Sequence, residues 1–82
     1  MNRTEILEKI GIILISVLGH NNFELNEALT AKDADGWDSL THMVIITEIE
    51  SVFDVKFRLK ELNKLNNMES LLDLVSTKLA EK

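Results

Sequence analysis

The chain has 82 residues, no cysteine and a formal net charge of −5. A chain of this length buries roughly 60% of its unfolded surface, which is too little for a deep catalytic cleft with its supporting structure. The lack of cysteine excludes a disulfide framework and a thiolate metal site, so any thiol chemistry would require an imported group. We expect one compact domain over residues 1–82, monomeric and located in the cytoplasm.

The acidic side chains are concentrated in the middle of the chain. Residues 32–54 contain six acidic side chains and one basic side chain, whereas residues 55–82 contain six basic and four acidic ones. A nucleic-acid-binding domain requires the opposite balance. A solvated helix face explains the candidate basic patch, which consists of Lys56, Arg58, Lys60 and Lys64. We expect no binding to nucleic acid.

The N-terminal segment is predicted to be an amphipathic helix over residues 3–18, because its apolar residues recur at helical spacing. Its longest apolar run is far shorter than the ~20 residues that span a bilayer, so we expect no membrane anchor and no signal peptide. Asn2 or Thr4 is placed to cap the helix start, and Gly19 to end it in a left-handed conformation. Gly11 inside the helix predicts close approach by another helix.

Residues 20–37 lose this period and are rich in Asn, Asp, Thr and Gly, which is typical of a surface loop. So long a loop in a small domain needs apolar anchors, and Leu25, Leu29 and Trp37 are available. We expect Trp37 to be a buried plug whose indole N–H reaches a loop carbonyl. The alternative is that Trp37 belongs to a partner surface.

A second helix is predicted from about residue 40 to Asp54, followed by a connection through Val55 and Phe57. The apolar residues that indicate this helix are Leu40, Met43, Val44, Ile46, Ile49, Val52 and Phe53.

The three-residue spacing of Leu59, Leu62 and Leu65 predicts a short third helix of about two turns. The last helix is expected to begin at Asn66 or Asn67, and with Asn66 as its cap Glu69 would complete a capping box. We expect its core residues to be Leu71, Leu72, Val75 and Leu79, with Asp73, Lys78 and Glu81 outside. The predicted fold is all-α, a four-helix bundle with a long first loop and a short third helix.

The tripeptide Asp38-Ser39-Leu40 lies where the long loop gives way to the second helix. Asp and Ser are preferred N-cap residues, so an ordinary helix start is sufficient to explain them. The same place also suits a covalently attached phosphate, because the first backbone N–H groups of a helix lack intrahelical partners and the helix dipole is positive there. Ser39 is therefore a candidate attachment point.

Residues 36–55 resemble the acyl carrier protein family, in which Asp-Ser-Leu opens the second helix and Phe-Asp closes it. The similarity extends over nearly the whole chain. In that family the serine carries a 4'-phosphopantetheine arm through a phosphodiester, and the thiol of the arm holds an acyl or related group as a thioester. The resemblance implies that Ser39 is this serine, flanked by Asp38 and Leu40, and that a phosphopantetheinyl transferase attaches the arm from coenzyme A.

The resemblance also implies a docking surface on the second helix for acyl-loading and acyl-processing enzymes with basic patches. Glu50 matches a usual acidic position, but Thr41 and Val44 stand where many fatty-acid carriers have acids. This departure favours a carrier dedicated to a lipid, polyketide or other secondary pathway. The alternative explanation for Glu48 and Glu50 is that they are ordinary solvent-exposed residues of the helix. The candidate recognition residues are Asp35, His42, Met43, Glu48 and Glu50.

Two further interpretations concern side chains near the tripeptide. The combination of Asp38, Ser39 and His42 is also that of a hydrolase site. No Gly-x-Ser-x-Gly elbow or oxyanion site accompanies these residues in the sequence, so we expect no catalysis. We expect His42 to be an exposed helix residue and His20 a loop residue. No metal is expected at Asp33, Asp35 and Asp38, because Asp38 occupies the position that a calcium loop reserves for glycine.

Two classes of function are compatible with the sequence. The first is a non-catalytic carrier whose chemistry belongs to its cofactor and to partner enzymes. The alternative is a small acidic helical interaction domain without a cofactor. Modification of Ser39 distinguishes the two, because only a carrier must be modified there.

Overall fold

A computed structural model of the chain describes residues 2–62 and 67–81. These residues form four helices and no strand: α1 (Arg3–Leu18), α2 (Ser39–Phe53), α3 (Leu59–Leu62) and α4 (Met68–Ala80). The predicted all-α bundle with a long first loop and a short third helix is confirmed. No helix within the described ranges is both long and apolar enough to cross a membrane.

Helix α1 begins and ends where the sequence places it. The side chain of Asn2 accepts a hydrogen bond from the Glu5 backbone N–H at 2.8 Å, and the Glu5 carboxylate accepts the Asn2 backbone N–H in return. Gly19 adopts a left-handed conformation with φ 77°, and its N–H donates to the Ile15 carbonyl. Asn2 is thus the cap, and Gly19 ends the helix because it has no Cβ to clash in this conformation.

Gly11 lies beneath a loop side chain and not beneath a second helix. A Cβ at this position would overlap the Leu25 side chain. The prediction that another helix approaches Gly11 is therefore wrong. The missing side chain instead leaves space in which Leu25 of the first loop packs against α1. Leu25 anchors the loop as expected, although part of its surface stays exposed.

The hydrophobic core lies between α1, α2 and α4, with α1 packed against both of the other helices. Fully burying each aliphatic side chain contributes about 1.5–3 kcal/mol, so this core supplies most of the driving force for folding. The largest fully buried side chains are Ile6, Ile10 and Leu14 of α1, Ile45 and Ile49 of α2, and Met68, Leu71, Leu72 and Val75 of α4.

Helix α2 buries only part of the apolar pattern from which it is predicted. Four of the apolar residues from which α2 is predicted are exposed: Leu40, with 80% of its surface, Met43, Val44 and Val52. The spacing of the apolar residues does not identify the buried face of α2, because the helix is apolar around most of its circumference. The buried stripe that the structure selects is Ile45, Ile46, Ile49 and Phe53.

The chain leaves α2 through a left-handed residue, which is followed by the irregular connection that the sequence predicts. Asp54 has φ 55°, and its backbone N–H donates to the Glu50 carbonyl. Val55 is buried and Phe57 is half-buried, so both contribute to the core without forming a strand.

Within the described residues α3 covers Leu59–Leu62, and the remainder of the predicted third helix, including Leu65, lies outside them. Helix α4 has Asn67 as its N-cap, whose side chain accepts a hydrogen bond from the Ser70 backbone N–H at 2.8 Å. With Asn67 as the cap, Ser70 occupies the third helical position, so Glu69 does not complete a capping box. Asn66 and Lys64 lie outside the described residues.

Ion pairs connect elements that are distant in the sequence. Lys78 was expected to lie outside, but its side chain is only 15% exposed and pairs with Glu61 of α3 at 3.2 Å. Arg3 pairs with Glu27 of the loop at 2.6 Å and with Asp73 of α4 at 2.8 Å. The Arg3 pairs lie at the surface, where each typically contributes less than about 1 kcal/mol.

The first loop is fastened to α4 near its middle, and its two ends are hydrogen-bonded to each other. Leu29 is buried, and its carbonyl accepts a hydrogen bond from the Met68 N–H at 2.8 Å, which fastens the loop to the start of α4. His20 is a loop residue, as predicted. Its Nδ1 accepts the Asn22 N–H, so its Nε2 is the protonated nitrogen that donates to the Asp35 carbonyl at 2.6 Å.

Candidate functional site at the start of helix 2

Ser39 is the first residue of α2 and is exposed. Within the part of the chain that the structure describes, its side chain makes no hydrogen bond. The hydroxyl is therefore accessible, and no existing interaction has to be broken before a group can be attached to it.

Asp38 fixes the point at which the helix begins. Its Oδ1 accepts hydrogen bonds from the backbone N–H groups of Leu40 and Thr41, both at 3.0 Å, while Thr41 Oγ1 accepts the Asp38 N–H at 2.8 Å. The hydrogen bond from the Thr41 N–H is the main reason that the pKa of the Asp38 carboxyl is lowered. Asp38 thus holds the helix start in its ionised form.

This capping changes the argument for a phosphate at Ser39. The sequence predicts free backbone N–H groups at the helix start, but the Leu40 and Thr41 groups are already bonded to Asp38. A phosphate on Ser39 would still experience the positive end of the helix dipole. The features that favour attachment are therefore the helix dipole and the exposed hydroxyl.

Trp37 is buried, with 5% of its surface exposed, as the plug interpretation predicts. Its indole Nε1–H donates to His42 Nδ1 at 3.0 Å, where a loop carbonyl was expected. The planes of the two rings differ by 22° and their centroids are 6.1 Å apart. The plug is confirmed, and its polar partner is a side chain of α2.

His42 is half-buried, so the expectation of an exposed helix residue is wrong. An indole N–H is only a donor, so His42 Nδ1 must be unprotonated and the neutral ring carries its proton on Nε2. Burial lowers the pKa of His42, which favours the same neutral form.

Asp38, Ser39 and His42 do not form a catalytic triad. The Asp38 carboxylate caps the helix, and His42 Nδ1 is occupied by Trp37. The Ser39 side chain has no hydrogen bond to a base within the described residues. The arrangement can present a hydroxyl to another enzyme, but it lacks the linked nucleophile and base that hydrolysis requires.

The candidate recognition residues lie in different environments. Asp35, Met43 and Glu48 are exposed, as is Leu40 beside the serine. Glu50 is half-buried, and its Oε2 accepts the Phe57 backbone N–H at 2.9 Å. No group of three or more histidine, aspartate or glutamate side chains suited to a metal occurs among the residues that the structure describes.

The capping role of Thr41 and the contact between Trp37 and His42 were not identified from the sequence. Thr41 Oγ1 donates to the Gly36 carbonyl at 2.6 Å and accepts the Asp38 N–H, so it joins the end of the loop to the helix. The three-residue spacing of Asp38 and Thr41 is that of a capping box, and it is a local signal for the hydrogen bond from the Asp38 N–H to Thr41 Oγ1. The contact between Trp37 and His42 has no comparable local signal.

A helical bundle that presents an exposed serine at a helix start has the architecture of a small carrier domain. No protein-family model matches the chain. It is 33% identical over 81 residues to an acyl carrier protein from Thermosynechococcus vestitus, which covers 98% of this chain and 99% of the relative. It is also 28% identical over 78 residues to an acyl carrier protein from Chlorobium phaeobacteroides, covering 95% of this chain and all of the relative.

A solved structure shows the same similarity. The solution NMR structure of a holo acyl carrier protein from Geobacter metallireducens superposes with a TM-score of 0.81 and 40% sequence identity. The match covers 92% of this chain and 86% of that protein. The chain therefore belongs to the acyl carrier protein family.

Proposed function

We propose that this protein carries acyl or related groups as thioesters on a 4'-phosphopantetheine arm attached to Ser39. The observation that carries this proposal is the exposed Ser39 side chain at the first residue of α2, which makes no hydrogen bond to any described residue. Membership of the acyl carrier protein family supports the same role. The arm would supply the thiol that this cysteine-free chain lacks.

The residues around Ser39 fit such a group. Asp38 and Thr41 hold the first turn of α2 through their reciprocal hydrogen bonds, so the serine is presented from a fixed helix start. The arm would leave the surface at a point where the neighbouring Leu40 side chain is also exposed. Neither the core nor a buried polar contact has to change for the arm to be attached.

We further propose that the arm comes from coenzyme A through a phosphopantetheinyl transferase, and that acyl-loading and acyl-processing enzymes use the same face of the protein. Asp35 and Glu48 would supply exposed negative charge to a basic partner, and Leu40 and Met43 would supply apolar contact. The carrier itself would not be catalytic. The neutral residues at positions 41 and 44 favour a dedicated lipid, polyketide or other secondary pathway in the cytoplasm.

Incubation with a broad-specificity phosphopantetheinyl transferase, magnesium and coenzyme A tests this function by intact-mass analysis. We expect one phosphopantetheine on the wild type and none on Ser39→Ala. Ser51→Ala is a matched control, because Ser51 is also an exposed serine of α2. A folded wild type that gains no mass would instead favour the alternative, a small acidic interaction domain without a cofactor.

A further inference from the structure

The loop that precedes Ser39 is bonded to the helix that follows it by side chains on both sides of the serine. Trp37 donates its indole N–H to His42, and Thr41 donates its hydroxyl to the Gly36 carbonyl. Trp37 also donates its backbone N–H to the Ala34 carbonyl at 3.1 Å, which closes the turn before it. The last residues of the loop are therefore tied to the first turn of α2 and not only packed against it.

The bond between Trp37 and His42 encloses Ser39 in a short ring of chain. Trp37 lies two residues before the serine and His42 three residues after it. The Trp37 ring is fixed by burial in the core, and His42 is fixed by its place on α2. A directional bond at 3.0 Å between these two fixed rings limits how far the segment between them can move.

We propose that His42 is a positioning residue for Ser39. By accepting the Trp37 indole N–H, its Nδ1 locks the loop onto the first turn of α2 and holds the serine hydroxyl where a transferase can act on it. This role rests on the proposed carrier function. It is assigned to the hydrogen bond and not to the bulk of the imidazole, because packing alone would need no acceptor at position 42.

Two substitutions separate the hydrogen bond from the packing. His42→Asn places an amide oxygen near the position of Nδ1, so it keeps an acceptor. His42→Leu fills similar space without an acceptor, which leaves the buried indole N–H without its partner. The measurements are kcat and KM for arm transfer by a broad-specificity phosphopantetheinyl transferase, together with solvent exchange of the indole N–H by NMR. Trp37 is the only tryptophan, so this signal is unique.

We expect His42→Leu to lower kcat and to speed indole exchange by roughly tenfold each, since a misplaced reacting group slows chemistry more than binding. KM should stay within about twofold, because Asp35, Leu40, Met43 and Glu48, to which docking is assigned, are unchanged. His42→Asn should restore both quantities. In a Trp37→Phe background, which lacks the donor, His42→Leu should cause little further loss of kcat.

The possible failures are distinguishable. Equal kcat values for the wild type, His42→Leu and His42→Asn would overturn the positioning role and leave the carrier function intact. Equal losses of kcat in His42→Leu and His42→Asn would show that the imidazole acts through its bulk. That result would also overturn the positioning role of the hydrogen bond. A wild type that accepts no arm would overturn the carrier function and this role together. If His42→Leu does not fold, an unchanged kcat in Trp37→Phe would overturn the role.

Discussion

The carboxylate of Glu50 accepts a hydrogen bond from the backbone N–H of Phe57 at 2.9 Å. Glu50 lies in the last turn of α2, and Phe57 lies in the connection to α3. The bond therefore ties this connection to the helix and leaves Glu50 half-buried. A partner that used the Glu50 charge would have to compete with a contact of the fold.

This relationship predicts that Glu50→Ala destabilises the protein. The Phe57 N–H would lose its charged acceptor, and we expect the free energy of unfolding to fall by about 1–3 kcal/mol. Urea denaturation measures the change. Glu48→Ala is the matched control, because Glu48 is an exposed neighbour and should change stability by no more than about 0.5 kcal/mol. Equal stability of the two variants would show that the Glu50 bond contributes nothing.

A second prediction concerns charge at the docking face, for which Glu48 is a cleaner probe than Glu50. Glu48→Lys should slow association with a basic phosphopantetheinyl transferase without unfolding the domain. The effect should diminish as salt is added, because exposed charges are screened over about 8 Å at physiological ionic strength. Stopped-flow association rates at low and high salt measure it, with Glu8→Lys on the exposed face of α1 as the control. Association rates that change neither with salt nor with Glu48→Lys would exclude charge steering.

A third prediction is that Trp37 stabilises the whole domain. Truncating a buried tryptophan to alanine costs about 3–5 kcal/mol, which is a large share of the stability of a small domain. Trp37→Ala should therefore unfold at much lower urea than the wild type. The fluorescence of the folded wild type should be blue-shifted and should move to the red on unfolding. Water-like emission from the folded protein and an unchanged unfolding midpoint would contradict burial.

A fourth prediction is that acidification weakens the fold through His42. Burial lowers the pKa of His42 below its ordinary value of 6.5, so the unfolded chain binds more protons in the range just below that value. Stability should then be fully present above about pH 6.5 and decline as the pH falls through this window. The contribution of Asp38, whose pKa is also lowered, is lost only below its ordinary value of 3.8.

Urea denaturation at about pH 7.5 and about pH 5.5 tests this window, since the two values lie on either side of the ordinary histidine pKa. His42→Asn is the control, because an amide does not titrate and should remove the His42 contribution to the decline. Identical pH dependence in the wild type and in His42→Asn would contradict the assignment.

Local sequence patterns were sufficient for the parts of the fold that depend on neighbouring residues. Asn2 and Gly19 mark the ends of α1 because caps act within one turn of the helix. Ser39 could be placed at the start of α2 for the same reason, since it lies at the boundary between the long loop and the helix. Trp37 was correctly placed in the interior because a large ring in a polar loop needs burial.

The remaining features depend on contacts that no local pattern specifies. Helix α2 is apolar around most of its surface, so its spacing did not show that Ile45 faces the core while Leu40 faces solvent. The bond from Phe57 to Glu50 crosses seven positions and a left-handed turn at Asp54. The partner of Trp37 likewise became visible only when the loop and helix were placed together.

Fragmentation of the modified protein by mass spectrometry tests most directly whether Ser39 carries the arm. After treatment with a phosphopantetheinyl transferase, magnesium and coenzyme A, we expect one phosphopantetheine, located on the fragment ions that contain Ser39. The exposed residues Ser16 and Ser51 should remain unmodified in the same spectrum. An arm found at another residue, or a folded protein that takes none, would contradict the account.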